Sequence, residues 1–192
     1  MSKRYGLVID LDRCTGCLTC VVACKMEHGW EHVSGIRVET VGGPRRDTPA
    51  GVHPNLSMHY LPISCMHCSQ PPCIPACPTE AIGRREDGIV LIDANRCDGC
   101  QMCLDACPYD AIVYDAQNEK AWKCTLCAHR VDEGLVPFCG VCCEMDAMFF
   151  GDINDPAAKV SQYAPKRQAY VLKPELGTDP AVRYCPTQPR QE

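Results

Sequence analysis

Apolar residues along this chain fall in short runs, separated by loops rich in cysteine. Tyr5-Gly-Leu-Val-Ile-Asp-Leu11 reads as a strand over 5–11, and Ile36–Val41 as a second. Further strands are expected over about Ser57–Ile63 and Gly88–Asp93. Residues 111–123 alternate as a hairpin, Ala-Ile-Val-Tyr-Asp and then Lys-Ala-Trp-Lys, around a turn at Gln117-Asn118. Between His28 and Leu56, Gly42-Gly43-Pro44 and Arg45-Arg46-Asp47-Thr48-Pro49 mark loops. From Gly151 onward the chain is Pro-rich and polar, with little periodicity to bury, so an extended tail is expected over 151–192.

Four cysteine quartets sit between these elements. Quartet three, Cys97, Cys100, Cys103 and Cys107 followed by Pro108, reads C-x2-C-x2-C-x3-C-P. This is the bacterial ferredoxin run, in which three close thiolates hold one [4Fe-4S] cluster and the fourth Cys reaches another. The spacing predicts that the fourth Cys opens a helix whose first turn is given by the Pro. Quartet one, Cys14, Cys17, Cys20 and Cys24, has the same spacing without the Pro. Quartet two, Cys65, Cys68, Cys73 and Cys77, has a middle gap of four residues, and quartet four, Cys124, Cys127, Cys139 and Cys143, one of eleven. Repeats are visible: Ile9-Asp-Leu-Asp-Arg-Cys14 matches Ile92-Asp-Ala-Asn-Arg-Cys97, and Cys77-Pro-Thr-Glu-Ala-Ile82 matches Cys107-Pro-Tyr-Asp-Ala-Ile112. Cys143-Glu-Met-Asp-Ala-Met148 is a degraded third copy. The expected fold is α+β: a duplicated bacterial-ferredoxin-like arrangement of short strands and short helices around four iron–sulfur clusters.

Composition sharpens that picture. Cysteine supplies 18 of 192 residues, far above ordinary usage. Leu, Ile, Val and Phe together supply about a fifth, near the level at which a chain struggles to build a core. Inorganic clusters are therefore expected to replace part of the core, coupling metal binding to folding. The formal charge of -5 argues against nucleic acid or an anionic membrane surface as partner. No run approaches the roughly 18 apolar residues of a membrane span, so no direct membrane insertion is expected. Met1-Ser-Lys-Arg-Tyr5 leads straight into a strand, so no leader of its own is expected. The expected site of synthesis and folding is the cytoplasm, with co-export beside a leader-bearing partner still open.

Disulfides fit poorly, because Cys three residues apart cannot all pair and no secretion signal is seen. Zinc favours two separated C-x2-C pairs and suits quartet four alone; quartets one and three have three Cys in register plus a fourth. Iron–sulfur ligation explains all four. His67 and His129, beside cluster cysteines, are expected to line the cluster pockets or donate to sulfur. Asp10 and Asp93, at equal offsets before cluster loops, read as turn-formers. Arg45-Arg46 and Arg84-Arg85 read as solvated faces. No catalytic constellation, nucleophile elbow or phosphate loop is present in the sequence.

With all four quartets read, the chain resembles the iron–sulfur electron-transfer subunit of the dimethyl sulfoxide reductase family of molybdenum enzymes. The resemblance rests on Cys65-Met-His-Cys68-Ser-Gln-Pro-Pro-Cys73, Lys123-Cys124-Thr-Leu-Cys127-Ala-His-Arg130, Gly151-Asp-Ile-Asn-Asp-Pro156 and Leu172-Lys-Pro-Glu-Leu-Gly-Thr178. It implies a non-catalytic subunit with four [4Fe-4S] clusters and exchanged fourth ligands. Cluster one would be held by Cys14, Cys17, Cys20 and Cys143, and cluster two by Cys124, Cys127, Cys139 and Cys24. Cluster three would be held by Cys65, Cys68, Cys73 and Cys107, and cluster four by Cys97, Cys100, Cys103 and Cys77. Cys100 stands where nitrate reductase has a Trp, so four full cubanes are implied. The first two-cluster unit would then span 1–56 and 116–150, the second 57–115, and the tail 151–192 would bind the partner. The implied partners are a molybdopterin-containing catalytic subunit and a membrane-anchored quinone-reactive subunit or soluble electron carrier.

Cys142 and Cys185 are surplus, and Glu144 with Met145 replaces the usual Pro after quartet four. Spacing selects Cys143 over Cys142, since Cys139 to Cys143 repeats the x3 gap; Cys142 is then expected to be a buried free thiol. The alternatives are a ferredoxin-like component of a hydrogenase, formate or carbon monoxide dehydrogenase system, against which the 151–192 segment speaks, and a zinc-stabilised scaffold.

With so small an aliphatic core, removal of iron should abolish cooperative melting and native circular dichroism. A chelated chain that still melted cooperatively would contradict this.

Overall fold

The structure is a computed structural model and describes residues 2–188. In chain order it contains β1 (Tyr5–Asp10), α1 (Thr19–His28), β2 (Ile36–Val41), β3 (Ala50–Val52), β4 (Asn55–Ser57), β5 (His59–Ser64), β6 (Ile82–Arg84) and β7 (Val90–Ile92). Then come α2 (Met102–Ala106), β8 (Ile112–Asp115), β9 (Lys120–Lys123), α3 (Ala128–Asp132), α4 (Phe138–Val141), β10 (Met148–Asp152), α5 (Lys159–Lys166) and β11 (Val182–Cys185). This is a mixed set of small helices and strands, as the patterning predicts. The predicted strands and the hairpin form with ends shifted by up to two residues. Asp115 closes the hairpin by accepting the Gln117 N–H at 3.0 Å. The β3–β4 hairpin lies inside the region read as loop; its exposed Val52 and Leu56 carry no alternation.

Four of the five sheets are two-stranded, and the fifth is three-stranded in the order β10-β1-β11. β1 is central there, antiparallel to β10 and parallel to β11. Both its faces are buried. Leu7 and Ile9 enter the main core with Ile36, Ile63, Met66 and Tyr184, while Val8 faces Phe149, Val160 and Ala164. The main core also contains Cys20, Cys24, Cys68 and Cys139, so sulfur and aliphatic side chains share one interior. Among the described residues, no helix is long and apolar enough to cross a membrane.

Over its described residues, 151–188, the last segment is not extended, which corrects the expectation of an extended tail. Its helix α5 buries Val160 and Ala164, one turn apart, and β11 buries Val182, Tyr184 and Cys185. Burying Val160, Val182 and Tyr184 is worth about 1.5–3 kcal/mol each. The polar composition conceals this because the buried residues are few and separated by Pro-rich turns. Polar groups lock the same segment down. The Asp10 carboxylate, fully buried, accepts from the Tyr163 hydroxyl and pairs with Arg167 at 3.1 Å. The Asp10 carbonyl accepts the Cys14 N–H at 3.2 Å, so α5 holds the residue that anchors the quartet-one loop. Farther on, Ala181 donates to the Met66 carbonyl at 2.8 Å and Ser69 to that of Asp179 at 3.0 Å. The segment thus spans from the quartet-one loop to the quartet-two loop.

Deleting residues 156–192 removes α5 and β11, exposes β1 and takes from Asp10 the Tyr163 hydroxyl and the Arg167 guanidinium, leaving it Arg13 at 3.8 Å. The truncated chain should therefore bind less iron, with the loss centred on the quartet-one loop. Iron analysis with electron paramagnetic resonance checks this, and a full iron complement would show that the segment does not close the fold.

Candidate metal centres

Two kinds of cysteine loop recur. In quartets one and three, Gly16 and Gly99 precede the second Cys at φ 70° and 76°, and Leu18 and Gln101 precede the helix at φ 65° and 64°. A Cβ on Gly16 would strike the Tyr60 ring, and one on Gly99 the Glu119 carbonyl oxygen. These left-handed residues curl the loop so that successive sulfurs face one point. In quartets two and four the left-handed residues are instead His67 and Leu126 at φ 44° and 52°. Their N–H groups donate to the first sulfur of the loop, His67 to Cys65 at 3.5 Å and Leu126 to Cys124 at 3.4 Å.

The fourth cysteines also share a geometry. Glu80, Asp110 and Asp146, each three residues beyond a fourth Cys, have φ of 50°, 49° and 47°. The alanine after the first and last donates its N–H back to sulfur, Ala81 to Cys77 at 3.3 Å and Ala147 to Cys143 at 3.4 Å. One expectation fails here. The fourth Cys of quartet three does not open a helix: α2 runs before Cys107 and ends there, and Pro108 enters a turn. In quartet one, Cys24 lies inside α1. In these two quartets the x3 gap is spanned by helix before or through the fourth Cys, which swings that sulfur away from its own loop.

The consequence is four cavities, each lined by three cysteines of one quartet and one of another. The first is lined by Cys14, Cys17, Cys20 and Cys143, with Val38 and Met148. The second is lined by Cys24, Cys124, Cys127 and Cys139, the third by Cys65, Cys68, Cys73 and Cys107, and the fourth by Cys77, Cys97, Cys100 and Cys103. The side chains around the sulfurs are mostly apolar. Shared elements pair the cavities. Cys20 and Cys24 on α1 join the first to the second; Cys73 with Cys77, and Cys103 with Cys107, join the third to the fourth. On α1 one helical turn advances about 5.4 Å, so the first and second cavities are close neighbours. Between second and third, Lys123 on the wall of the third cavity immediately precedes Cys124 of the second.

The donors suit a cubane better than one ion. A zinc site needs sulfurs about 2.3 Å from a single centre. Among the described residues no three His, Cys, Asp or Glu side chains are grouped to hold one ion. Four soft thiolates spread round an apolar cavity are what a [4Fe-4S] cluster takes.

Burial dominates the thiol chemistry. It pushes Cys20 and Cys73 up to about 12 and Cys68 and Cys103 up to about 11, with the neighbouring sulfur charges adding to it. It pushes Cys124 and Cys139 up as well. Cys17 is lowered by the Thr19 hydroxyl and N–H. At Cys77 burial acts upward, but the Thr79 hydroxyl and the Ala81 N–H outweigh it and the thiol is lowered. Iron binding therefore displaces protons from most of these sulfurs.

A scan against family models matches residues 56–153 to a 4Fe-4S dicluster domain and residues 5–26 to a 4Fe-4S binding domain. Curated relatives match almost end to end. A putative dimethyl sulfoxide reductase iron-sulfur subunit of Halobacterium salinarum is 41% identical over 94% of this chain and 78% of its own length. A tetrathionate reductase subunit of Salmonella typhimurium is 40% identical over 94% and 72%. The arsenate respiratory reductase iron-sulfur subunit of a Shewanella species is 31% identical over 94% and 95%. The chain belongs to this family of reductase iron–sulfur subunits. It binds multiple [4Fe-4S] clusters and is an electron-transfer component, as the sequence resemblance implies.

Two cysteines of this iron–sulfur subunit line none of the four cavities. Cys185 is fully buried on β11 beneath α5. Cys142 is half-buried rather than buried, because it ends the exposed turn of α4. The histidines differ from expectation too. His67 does not donate to sulfur through its ring; its Nδ1 accepts the Val90 N–H at 3.0 Å. Burial, then the charge of Lys123, holds that ring well below the usual histidine range. His129 pairs with Glu27 at 2.8 Å. The histidine at a cluster cysteine is His28, stacked on Trp30, with Nε2 3.7 Å from Cys127 Sγ. Its sequence position, four residues past Cys24 at the end of α1, offers no motif to read. Arg85 is not a free solvated face but pairs with Asp87 and Asp132, tying β6 to α3.

Proposed function

We propose that the chain carries four [4Fe-4S] clusters, one per cavity, and passes single electrons along them between a molybdopterin-containing catalytic subunit and a second redox partner. That partner is a membrane-anchored quinone-reactive subunit or a soluble carrier. The ligand sets are Cys14, Cys17, Cys20 and Cys143; Cys24, Cys124, Cys127 and Cys139; Cys65, Cys68, Cys73 and Cys107; and Cys77, Cys97, Cys100 and Cys103. The observation that carries the proposal is the set of four cavities, each lined by four cysteines, three from one quartet and one from another.

Each cluster would supply a site that takes or gives one electron. The chain does the rest: apolar walls keep water out, backbone N–H groups donate to sulfur and spread its charge, and the rigid loops fix the separations. Bond-making chemistry is left to the catalytic partner. One loop of each kind makes a two-cluster unit, so the first and second cavities form one unit and the third and fourth its duplicate. Cys17 and Cys100 are the exposed ligands of the outermost cavities, which suits electron entry and exit at the two ends. The segment after Gly151 would meet the catalytic subunit through its outer face, where Lys166 is exposed. The near full-length match, which includes that segment, favours this reading over a ferredoxin-like component of a hydrogenase or carbon monoxide dehydrogenase.

The adjacent pair Cys142 and Cys143 gives the test. Cys142→Ala should keep about sixteen irons per chain, the content of four cubanes. Cys143→Ala should lose the first cluster or convert it to a three-iron form with its own electron paramagnetic resonance signal. The reverse pattern would overturn the ligand sets. Copurification of a molybdenum- or tungsten-containing large subunit, identified by mass spectrometry, tests the partner.

A further inference from the structure

Lys123 ends β9 with its side chain at 2% exposure, and lies on the wall of the third cavity, immediately before Cys124 of the second. Its ammonium donates to two carbonyl oxygens, that of Val90 and, at 3.1 Å, that of Cys124. Val90 is held on its other side as well, its N–H going to His67 Nδ1. The Lys123 stem and head are therefore fixed between two strands and a cysteine loop.

What Lys123 lacks is a counter-ion. Among the described residues no carboxylate forms an ion pair with it. Asp10, the comparably buried carboxylate, has Arg167. His67, buried beside Lys123, brings no negative charge; its Nε2 has no hydrogen-bond partner in the structure. A buried ammonium satisfied only by neutral carbonyls is costly, and buried charges are normally paired. The groups placed to pair with it are sulfurs. Cys73 of the third cavity and Cys124 of the second both feel its charge.

The geometry points to Lys123 as the fixed counter-cation shared by the second and third clusters, raising the reduction potentials of both at the junction between the two halves of the electron path. The inference rests on the proposed occupancy of those two cavities. Its physics is one of charge. Reduction adds one electron, and so one negative charge, to a cluster already made anionic by four thiolates. A nearby buried cation stabilises the reduced form more than the oxidised one, so the potential rises. The first and fourth clusters, whose walls include neither Lys123 nor the adjoining Cys124, move less.

The test uses the whole chain in its purified complex, with iron and acid-labile sulfide counted before any redox titration. Lys123→Met removes the charge and keeps the stem, Lys123→Gln removes the charge but keeps a donor, and Lys123→Arg keeps the charge. In the Met and Gln variants the midpoint potentials of two clusters should fall, each by at least about tenfold in the reduction equilibrium, about 59 mV for a one-electron couple. Lys123→Arg should stay close to the unaltered chain. Loss of iron in the Met and Gln variants with retention in Arg would also support the counter-ion role. Unchanged midpoints in fully loaded Met and Gln variants, or equal iron loss in all three, would overturn it. An unaltered chain with far fewer than about sixteen irons would instead overturn the cluster reading itself, which separates the two failures.

Discussion

Sixteen cysteine sulfurs turned inward are the constraint that the rest of this structure serves. A sulfur turned inward is not stable as a thiolate unless a cation meets it, and burial pushes most of these thiols upward. Iron supplies the cations. The loops that present the sulfurs need left-handed residues at fixed offsets, the helices α1, α2 and α4 at the third cysteines are four to ten residues long, and the sheets are mostly two-stranded. Elements so small bury little by themselves. They are held because Cys20, Cys24, Cys68 and Cys139 sit in the same interior as Leu7, Ile9 and Tyr184, so cluster and core close together.

The cysteine spacing makes the site unusually legible. A C-x2-C-x2-C-x3-C run states how many sulfurs can face one point and which must face elsewhere, and the repeat of Asp10 at Asp93 marks equivalent turns. Both residues form them, Asp10 accepting the Asp12 N–H at 3.1 Å and Asp93 the Asn95 N–H at 2.9 Å. Spacing carries no information about residues that act through space. His28 reaches Cys127 across ninety-nine positions, and Lys123 reaches the Val90 carbonyl across thirty-three. Nothing in either local sequence announces those contacts.

The segment after Gly151 departs from its sequence pattern for a different physical reason. Polarity averaged over some forty residues hides a strand that needs four. Ala181-Val-Arg-Tyr-Cys185 is short, yet beside β1 it finds the parallel partner that buries Val182 and Tyr184 completely. Parallel pairing with a strand some 175 positions earlier leaves no local signature, since its register depends on β1 and not on a turn. The polar residues around it are specific as well. Tyr163 and Arg167 look like solvated helix residues, but they satisfy the fully buried carboxylate of Asp10, which anchors the quartet-one loop.

Charge ties these observations together. The chain already carries a formal -5, and each thiolate-ligated cubane adds negative charge to its interior. Successive one-electron reductions then work against accumulated repulsion, most strongly between neighbouring clusters. Surface lysines and arginines, screened by water and salt, do little to relieve it. Backbone N–H groups on Cys65, Cys77, Cys124 and Cys143 help each cluster separately. The point where the two halves of the path meet is different, since there Cys124 of the second cavity directly follows a residue on the wall of the third, and two clusters would flank one low-dielectric gap. A full positive charge is worth most in such a place, and the residue found there is a lysine whose head is fixed by two backbone carbonyls.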